Sequence, residues 1–296
     1  MNDKKRNHTK TVGNGTSQKF RSIFSFCDSV EGGQEMKSLF EATVYRLRKS
    51  KGVKIAIGLL FVAATLYYVL AAMIAAGKLD AAQAGSVTGL GDSMLIWLFG
   101  SLIIGLLVGS DFENKTIHGA IKFGRKKIVA NYILTFAVIV IIMVFPYMFG
   151  SLICILFKIK MQGAEGTMIS IFMSNILEYT KHTSIGKLLL SYIGYTFVYA
   201  GQLSICIPIA IKFKKTTVIT AFGFFFGMIT ALISTLASKV KLLDNIYQLT
   251  PYHYGILQLG INAKIGDMFI GIIVSLMFVG IMGVVSWCLF KKADIK

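Results

Sequence analysis

The sequence predicts an all-α integral membrane protein with six transmembrane helices, and three observations carry that prediction. Six runs free of Asp, Glu, Lys, Arg and His lie at about 55–77, 93–110, 128–157, 188–211, 216–238 and 268–290. A helix needs about 20 apolar residues to cross the hydrocarbon core of a bilayer. Hydrophobic residues make up 55% of the chain and charged residues only 15%, the charges being gathered between the runs. No stretch alternates apolar and polar residues in the segments of about 10 that a β-barrel requires. Helix is then the spanning structure that satisfies its own backbone in lipid.

Charge sets the orientation. The chain carries 31 Lys and Arg against 14 Asp and Glu, a net charge of +17. With the N-terminus inside, segments 1–54, 111–127, 212–215 and 291–296 hold 23 of the basic residues, and 78–92, 158–187 and 239–267 hold 8. Basic residues collect on the cytoplasmic side, so both termini are expected there. The positive charge is thus read as a topology signal, and nucleic acid is not an expected partner. Cys27, Cys154, Cys206 and Cys288 make no CxxC pair, which implies neither a disulfide framework nor a metal site. The first apolar run follows a long polar stretch and is full membrane length, unlike a cleavable signal peptide.

In chain order, residues 1–35 are polar and non-periodic. They read either as a disordered cytoplasmic tail or as an upstream extension. Glu31-Gly32-Gly33-Gln34-Glu35-Met36 can be encoded by a purine-rich ribosome-binding sequence ahead of a start codon. From 36 to 52 the pattern becomes amphipathic. Met36, Leu39, Phe40, Thr43, Val44 and Leu47 keep helical spacing, and Lys37, Arg46, Arg48, Lys49 and Lys51 supply charge. This predicts an interfacial helix with its basic edge toward anionic headgroups. Residues 53–296 form the six-helix domain. Run 128–157 is over-long for one straight crossing, so it tilts, kinks at Pro146 or extends beyond the membrane. The segment 239–267 repeats apolar residues at helical spacing (Leu242, Leu243, Ile246, Leu249). It reads as a re-entrant or interfacial helical hairpin or as an ordinary structured loop.

Several functions are excluded by what the runs lack. Ionisable residues inside spans mark proton relays and ion-coupled transport, and none is present. The stretch from Gly119 to Lys126 approaches the phosphate-loop pattern but lacks its Gly-Lys-Ser/Thr ending and a preceding strand, so no ATPase lies on this chain. Gly89-Leu90-Gly91-Asp92 matches the short aspartyl-protease GxGD, without a second aspartate in a span to share a proton. Two small-residue patterns, Gly105-xxx-Gly109 and Gly223-xxx-Gly227, allow close helix packing.

The segment 110–128 is the longest strongly polar stretch between two spans. Ser110-Asp111-Phe112-Glu113 fits a capping box, Asp111 and Glu113 suit a helix N-terminus, and Gly124 suits the residue past a helix end. Ile117, Ala120 and Ile121 form a short apolar stripe, flanked by Phe112 and Phe123. A capped helix of about three turns, offering that stripe to a partner, is expected.

Asp111-Phe112-Glu113-Asn114-Lys115-Thr116-Ile117 resembles the D-F-x-x-G-T-I segment of type-2 ABC exporter permeases, a family that includes bacterial antimicrobial-peptide and lantibiotic-immunity transporters. Gly124-Arg125-Lys126-Lys127-Ile128 is similar to its G-x-x-R-x-x-I. The basic leader at 36–51 and the ending Phe290-Lys291-Lys292-Ala293-Asp294-Ile295 resemble the family's leader and its F-x-x-x-D-I. Lys115 stands where the family has Gly, the second segment is shorter than usual, and Asn131 lies where Lys is often found. The resemblance implies a permease subunit of an ATP-driven exporter in the bacterial cytoplasmic membrane. It implies a second permease subunit, alike or different, and a separate ABC ATPase carrying ATP and Mg. Asp111, Phe112, Glu113, Thr116, Ile117, Ile121, Gly124, Arg125 and Lys126 would couple to that ATPase, with Phe112, Ile117 and Arg125 in contact. Substrate, an antimicrobial peptide or else a lipid or drug, would pass between two permease subunits along spans two and five. The alternative is a membrane scaffold, sensor or immunity protein that acts by binding alone.

Overall fold

The structure is a computed structural model that describes residues 33–79, 92–157, 159, 185–237, 239–253 and 264–292. Among these residues the fold is wholly helical. Helix α1 (Gly33–Lys49) is followed by α2 (Lys51–Ala75), α3 (Asp92–Ile104) and a π-helical stretch (Gly105–Gly109). The short helices α4 (Ser110–Glu113) and α5 (Ile117–Ala120) and a 3₁₀ turn (Ile121–Phe123) come next. Then follow α6 (Arg125–Leu156), α7 (Ile185–Leu203), α8 (Cys206–Phe213), α9 (Thr216–Ala237), α10 (Lys241–Gln248) and α11 (Ile265–Lys292). Residues 1–32, most of 158–187, and the ending after Lys292 lie outside the described residues, as do Gly89 to Gly91 of the GxGD match.

Among the described residues five helices are long and apolar enough to cross a membrane: Lys51–Ala75, Met94–Glu113, Arg125–Cys154, Leu189–Phe213 and Ile265–Lys292. The remaining apolar run forms α9, whose stretch Thr216–Thr230 belongs with the shorter apolar helices. Helix α6 is continuous through Pro146 for 32 residues. At 1.5 Å per residue it is about 48 Å long, so it extends beyond a hydrocarbon core of about 30 Å. Its projecting first turn carries Arg125, Lys126 and Lys127. Predicted span four is broken between α7 and α8 at Ser204–Ile205. Pro208 lacks an N–H and crowds the carbonyl four residues back, at Ser204. There the Ser204 hydroxyl donates to the Gly201 carbonyl at 2.6 Å.

The four glycines of the two small-residue patterns meet in one interface inside the chain, between α3 with its π-helical continuation and α9. A Cβ on Gly223 would lie 2.1 Å from Ser101 Cβ, and one on Gly227 would lie 2.6 Å from Trp97 Cγ. A Cβ on Gly105 would meet Thr216 at 3.0 Å, and one on Gly109 would meet Ile219 at 2.9 Å. The two helices run antiparallel with backbones in near contact, the most extensive packing in the fold. These glycines therefore serve packing within one chain, not a face between two copies.

A second tie joins α2, α6 and α7. The Tyr68 hydroxyl donates to the Tyr147 carbonyl at 2.5 Å, and the Tyr192 hydroxyl does so at 2.8 Å. The Ser151 hydroxyl sits between them, 2.9 Å from Tyr68 Oη and 2.5 Å from Tyr192 Oη. A buried hydroxyl without a partner costs about 1–3 kcal/mol, so these partners give the three helices a specific register. The Tyr68 ring lies where any Cβ on Gly150 would be, 2.2 Å from its Cε2.

Helix α1 departs from the interfacial expectation. Its apolar residues Leu39, Phe40 and Leu47 are buried against the rest of the chain. Thr43 on the same face accepts a hydrogen bond from Asn131 Nδ2 of α6 at 2.9 Å. The stripe that reads as a lipid-binding face is spent on the bundle, leaving Ser38, Glu41, Tyr45, Arg48 and Lys49 outward.

Candidate functional site

The ends of α1, α6, α8 and α11 and the start of α9 meet the 110–128 segment, with Asp111 at the buried junction of α1 and α6. Because this aspartate is only 6% exposed, a lone charge there would be costly to bury. Three donors surround it. Arg46 of α1 forms a two-pronged ion pair, with Nη1 on Oδ1 and Nη2 2.9 Å from Oδ2. Thr116 Oγ1 donates to Oδ1 at 2.5 Å, and the Tyr132 hydroxyl of α6 donates to Oδ2 at 2.8 Å. Nη2 of Arg46 also reaches the Leu107 carbonyl at 3.2 Å, inside the π-helical stretch. In that stretch the Ser110 N–H bonds back to Gly105. The i→i−5 spacing disturbs the regular ladder, as π-bulges do, and Arg46 occupies one of the carbonyls. Burial lowers the Arg46 guanidinium pKa, with Tyr132 opposing, yet guanidinium starts so basic that it stays charged.

The capping box is not formed. Ser110 continues the helix with φ −63° and ψ −25°, and its hydroxyl donates back to the Leu106 carbonyl at 2.5 Å. Span two simply runs on through Glu113, so there is no helix start to cap. Glu113 instead caps a different helix. Its Oε1 accepts the Thr216 N–H at 2.8 Å, and Oε2 lies 3.2 Å from the Thr216 hydroxyl. Thr216 opens α9, so the carboxylate sits at the positive end of that helix.

The expected three-turn helix is also interrupted. Lys115 takes φ +57° between α4 and α5, which only glycine adopts without steric cost. This is the position where Lys replaces the glycine of the resembling segment. Gly124, with φ +92°, ends the 3₁₀ turn as anticipated. Ile117 is 2% exposed, and Phe112, Ala120, Ile121 and Phe123 pack on the same core. The stripe faces the chain's own interior because the break at Lys115 turns α5 inward. An Ile117→Asp change would bury a charge, and could not isolate contact with a partner. The outward residues of the segment are Glu113, Asn114, Lys115, Thr116, His118, Gly119, Lys122, Gly124 and Lys126.

A row of cations and rings fastens the segment to the last helix. Lys214 Nζ lies 5.5 Å from the Phe112 ring, Phe112 meets Phe290 edge-on at 6.1 Å, and Arg125 lies 5.9 Å from Phe290. Arg125 Nη1 also donates to the carbonyls of Phe290 (3.1 Å) and Lys291, a cation at the negative end of α11. Lys126 and Lys291 flank Trp287 at 5.1 and 5.9 Å. Arg46, Tyr132, Thr216 and Phe290 are the partners that sequence reasoning missed. Arg46 carried a signal as a basic residue near the apolar stripe of an amphipathic helix, and Phe290 as the first residue of the ending that resembles F-x-x-x-D-I. Among the described residues no cluster of His, Cys, Asp or Glu could hold a metal.

Compared with known proteins, the chain matches no family model and no curated protein.

Proposed function

We propose that the chain is the membrane-spanning permease subunit of an ATP-driven exporter, driven by a separate ATPase that docks on the 110–128 segment. One observation carries this reading. A short polar surface is wired by named contacts to α1 through Asp111, to α9 through Glu113, and to α11 through Phe112 and Arg125. Its outward residues, Asn114, Lys115, His118 and Lys122 among them, are exposed and within reach of a partner. A push on this surface would reach several helices at once, which a device lacking its own nucleotide loop requires. In this reading the basic end faces the cytoplasm of a bacterium, six helices span its membrane, and two permease subunits pair with two ATPase subunits carrying ATP and Mg.

The substrate proposed is amphipathic or hydrophobic, an antimicrobial peptide first. The meeting faces of spans two and five are consumed within the chain. What remains for a path between subunits is the outward face in the middle of α9, with Phe225 and Met228 exposed. The test is isolation of the tagged protein from its own host in mild detergent, with mass spectrometry of the complex and transport in inverted vesicles. An associated ATP-binding chain and ATP-dependent peptide uptake are expected. A homogeneous preparation without an ATPase, from cells that still resist the peptide, would favour the binding-only alternative.

A further inference from the structure

Helix α10 (Lys241–Gln248) contains no buried residue. At about 100° per residue, Leu249, Leu242, Ile246 and Leu243 fall on one continuous arc of about 120°. Leu242 is 70% exposed, Ile246 56% and Leu249 75%, so nothing among the described residues covers that arc. Lys241, Asn245 and Gln248 occupy the opposite side, and Gln248 Nε2 donates to Asp244 Oδ2 at 2.8 Å. Tyr247 and Asp244 lie between the two sides and are the residues turned toward the bundle.

We propose that α10 lies in the membrane surface, at the end of the bundle opposite the Asp111 junction, with this arc seated among lipid acyl chains. Position selects lipid as the occupant. Only three residues lie between Ala237, the end of α9, and Lys241, and the four chain steps reach at most about 14 Å. The arc continues the exposed apolar face of α9, made by Leu232, Ile233 and Leu236. Lys239 and Lys241 flank it where their long stems can carry ammonium groups to the headgroups. A charged edge and a wide apolar face together suit an interfacial helix.

The lipid seat has a mechanical consequence. The Tyr247 hydroxyl donates to the Tyr252 carbonyl at 2.9 Å. The Tyr252 ring sits among Trp97 (6.2 Å), Phe226 (5.7 Å) and Phe278 (5.7 Å), and its hydroxyl donates to the Gln202 carbonyl at 3.1 Å. Gln202 Nε2 returns a bond to the Pro251 carbonyl at 3.1 Å. The 251–252 turn is thereby a stopper between α3, α7, α9 and α11, held in place from the lipid side by α10. This inference rests on the membrane-spanning reading alone and stands apart from the transport proposal.

The experiment places nitroxide labels at Leu242→Cys, Ile246→Cys, Lys241→Cys and Asn245→Cys, one at a time. The host is the full chain in liposomes, with its four native cysteines replaced by alanine. Labels at 242 and 246 should relax with dissolved oxygen, and those at 241 and 245 with a water-soluble nickel chelate. The oxygen-to-nickel ratio should be several-fold higher on the apolar side. Nickel accessibility at all four positions would overturn the proposal. So would shielding of 242 and 246 from both agents, which would indicate a protein cover such as a second copy. If the alanine background fails to fold, Ile246→Trp and Asn245→Trp in the native-cysteine chain give the same reading with brominated lipids. Quenching is then expected for 246 well above 245, and equal quenching refutes the lipid seat.

Discussion

Replacing Arg46 tests whether the Asp111 junction is one coupled unit. Arg46→Met keeps the stem of the side chain and removes both prongs of the ion pair and the bond to the Leu107 carbonyl. Asp111, 6% exposed, keeps only two hydroxyl donors. Breaking a buried pair from one side costs about 3–5 kcal/mol. The retained hydroxyls and the partial exposure of Arg46 reduce that to about 2–3 kcal/mol. Asp111→Asn leaves Arg46 free to turn toward water and keeps an acceptor for Tyr132, so about 1–2 kcal/mol is expected. The double variant removes both charges, and its cost should fall short of the sum by at least about 1 kcal/mol. Reversible unfolding in mixed micelles with increasing dodecyl sulfate, followed by circular dichroism, measures all three, with the exposed Arg48→Met as control. Additive costs, or an Arg46→Met variant as stable as the control, would refute the argument.

Other positions give independent tests. Gly223→Ala puts a methyl group 2.1 Å from Ser101 Cβ and should cost about 1–3 kcal/mol by overpacking. Gly58→Ala, with open space around it, should be neutral or stabilising in the same unfolding assay. Gly150→Ala should displace the Tyr68 ring and lose the bond to the Tyr147 carbonyl. In a Tyr68→Ala background the same change should then cost far less, and equal costs would contradict the contact. Lys115→Gly relieves a left-handed backbone and should stabilise by up to about 1 kcal/mol, whereas Lys115→Val should destabilise. Burial lowers the His253 pKa from 6.5, with Asp244 opposing. The unfolded chain therefore binds the proton more readily, so this contribution to stability is full above pH 6.5 and is lost as pH falls below it. His253→Gln should flatten that part of the stability–pH curve.

The 110–128 segment shows how far local pattern reaches. Asp, Glu, Gly and an apolar stripe at helical spacing are legible, and the segment is indeed polar, short and helical, with Gly124 at positive φ. The capping box was misplaced because a capping side chain needs a helix that begins there. Whether span two stops before Ser110 or runs through it depends on its packing against α9, which no four-residue motif records. Glu113 carries capping chemistry, but its helix lies about a hundred residues downstream. The stripe of α1 predicts an interfacial helix for the same kind of reason. Hydrophobic periodicity says that a face is buried, and a bilayer and a neighbouring helix are equally good at burying it.

The sequence alone determined the helical character of the chain and the apolar helices suited to a membrane. Uncharged runs long enough to cross a bilayer demand helices, and the charges gather between those runs. Both follow from the cost of exposing backbone and charge to hydrocarbon, a property of composition along the chain. Tertiary structure decided which groups meet. It joined the two glycine patterns into one intramolecular seam, turned Ile117 inward, and brought Arg46 to Asp111 across sixty-five residues. Such pairings are set by the angles at which helices cross and the places where they break. Close packing and directional hydrogen bonds select them, and those forces act between elements far apart in the chain.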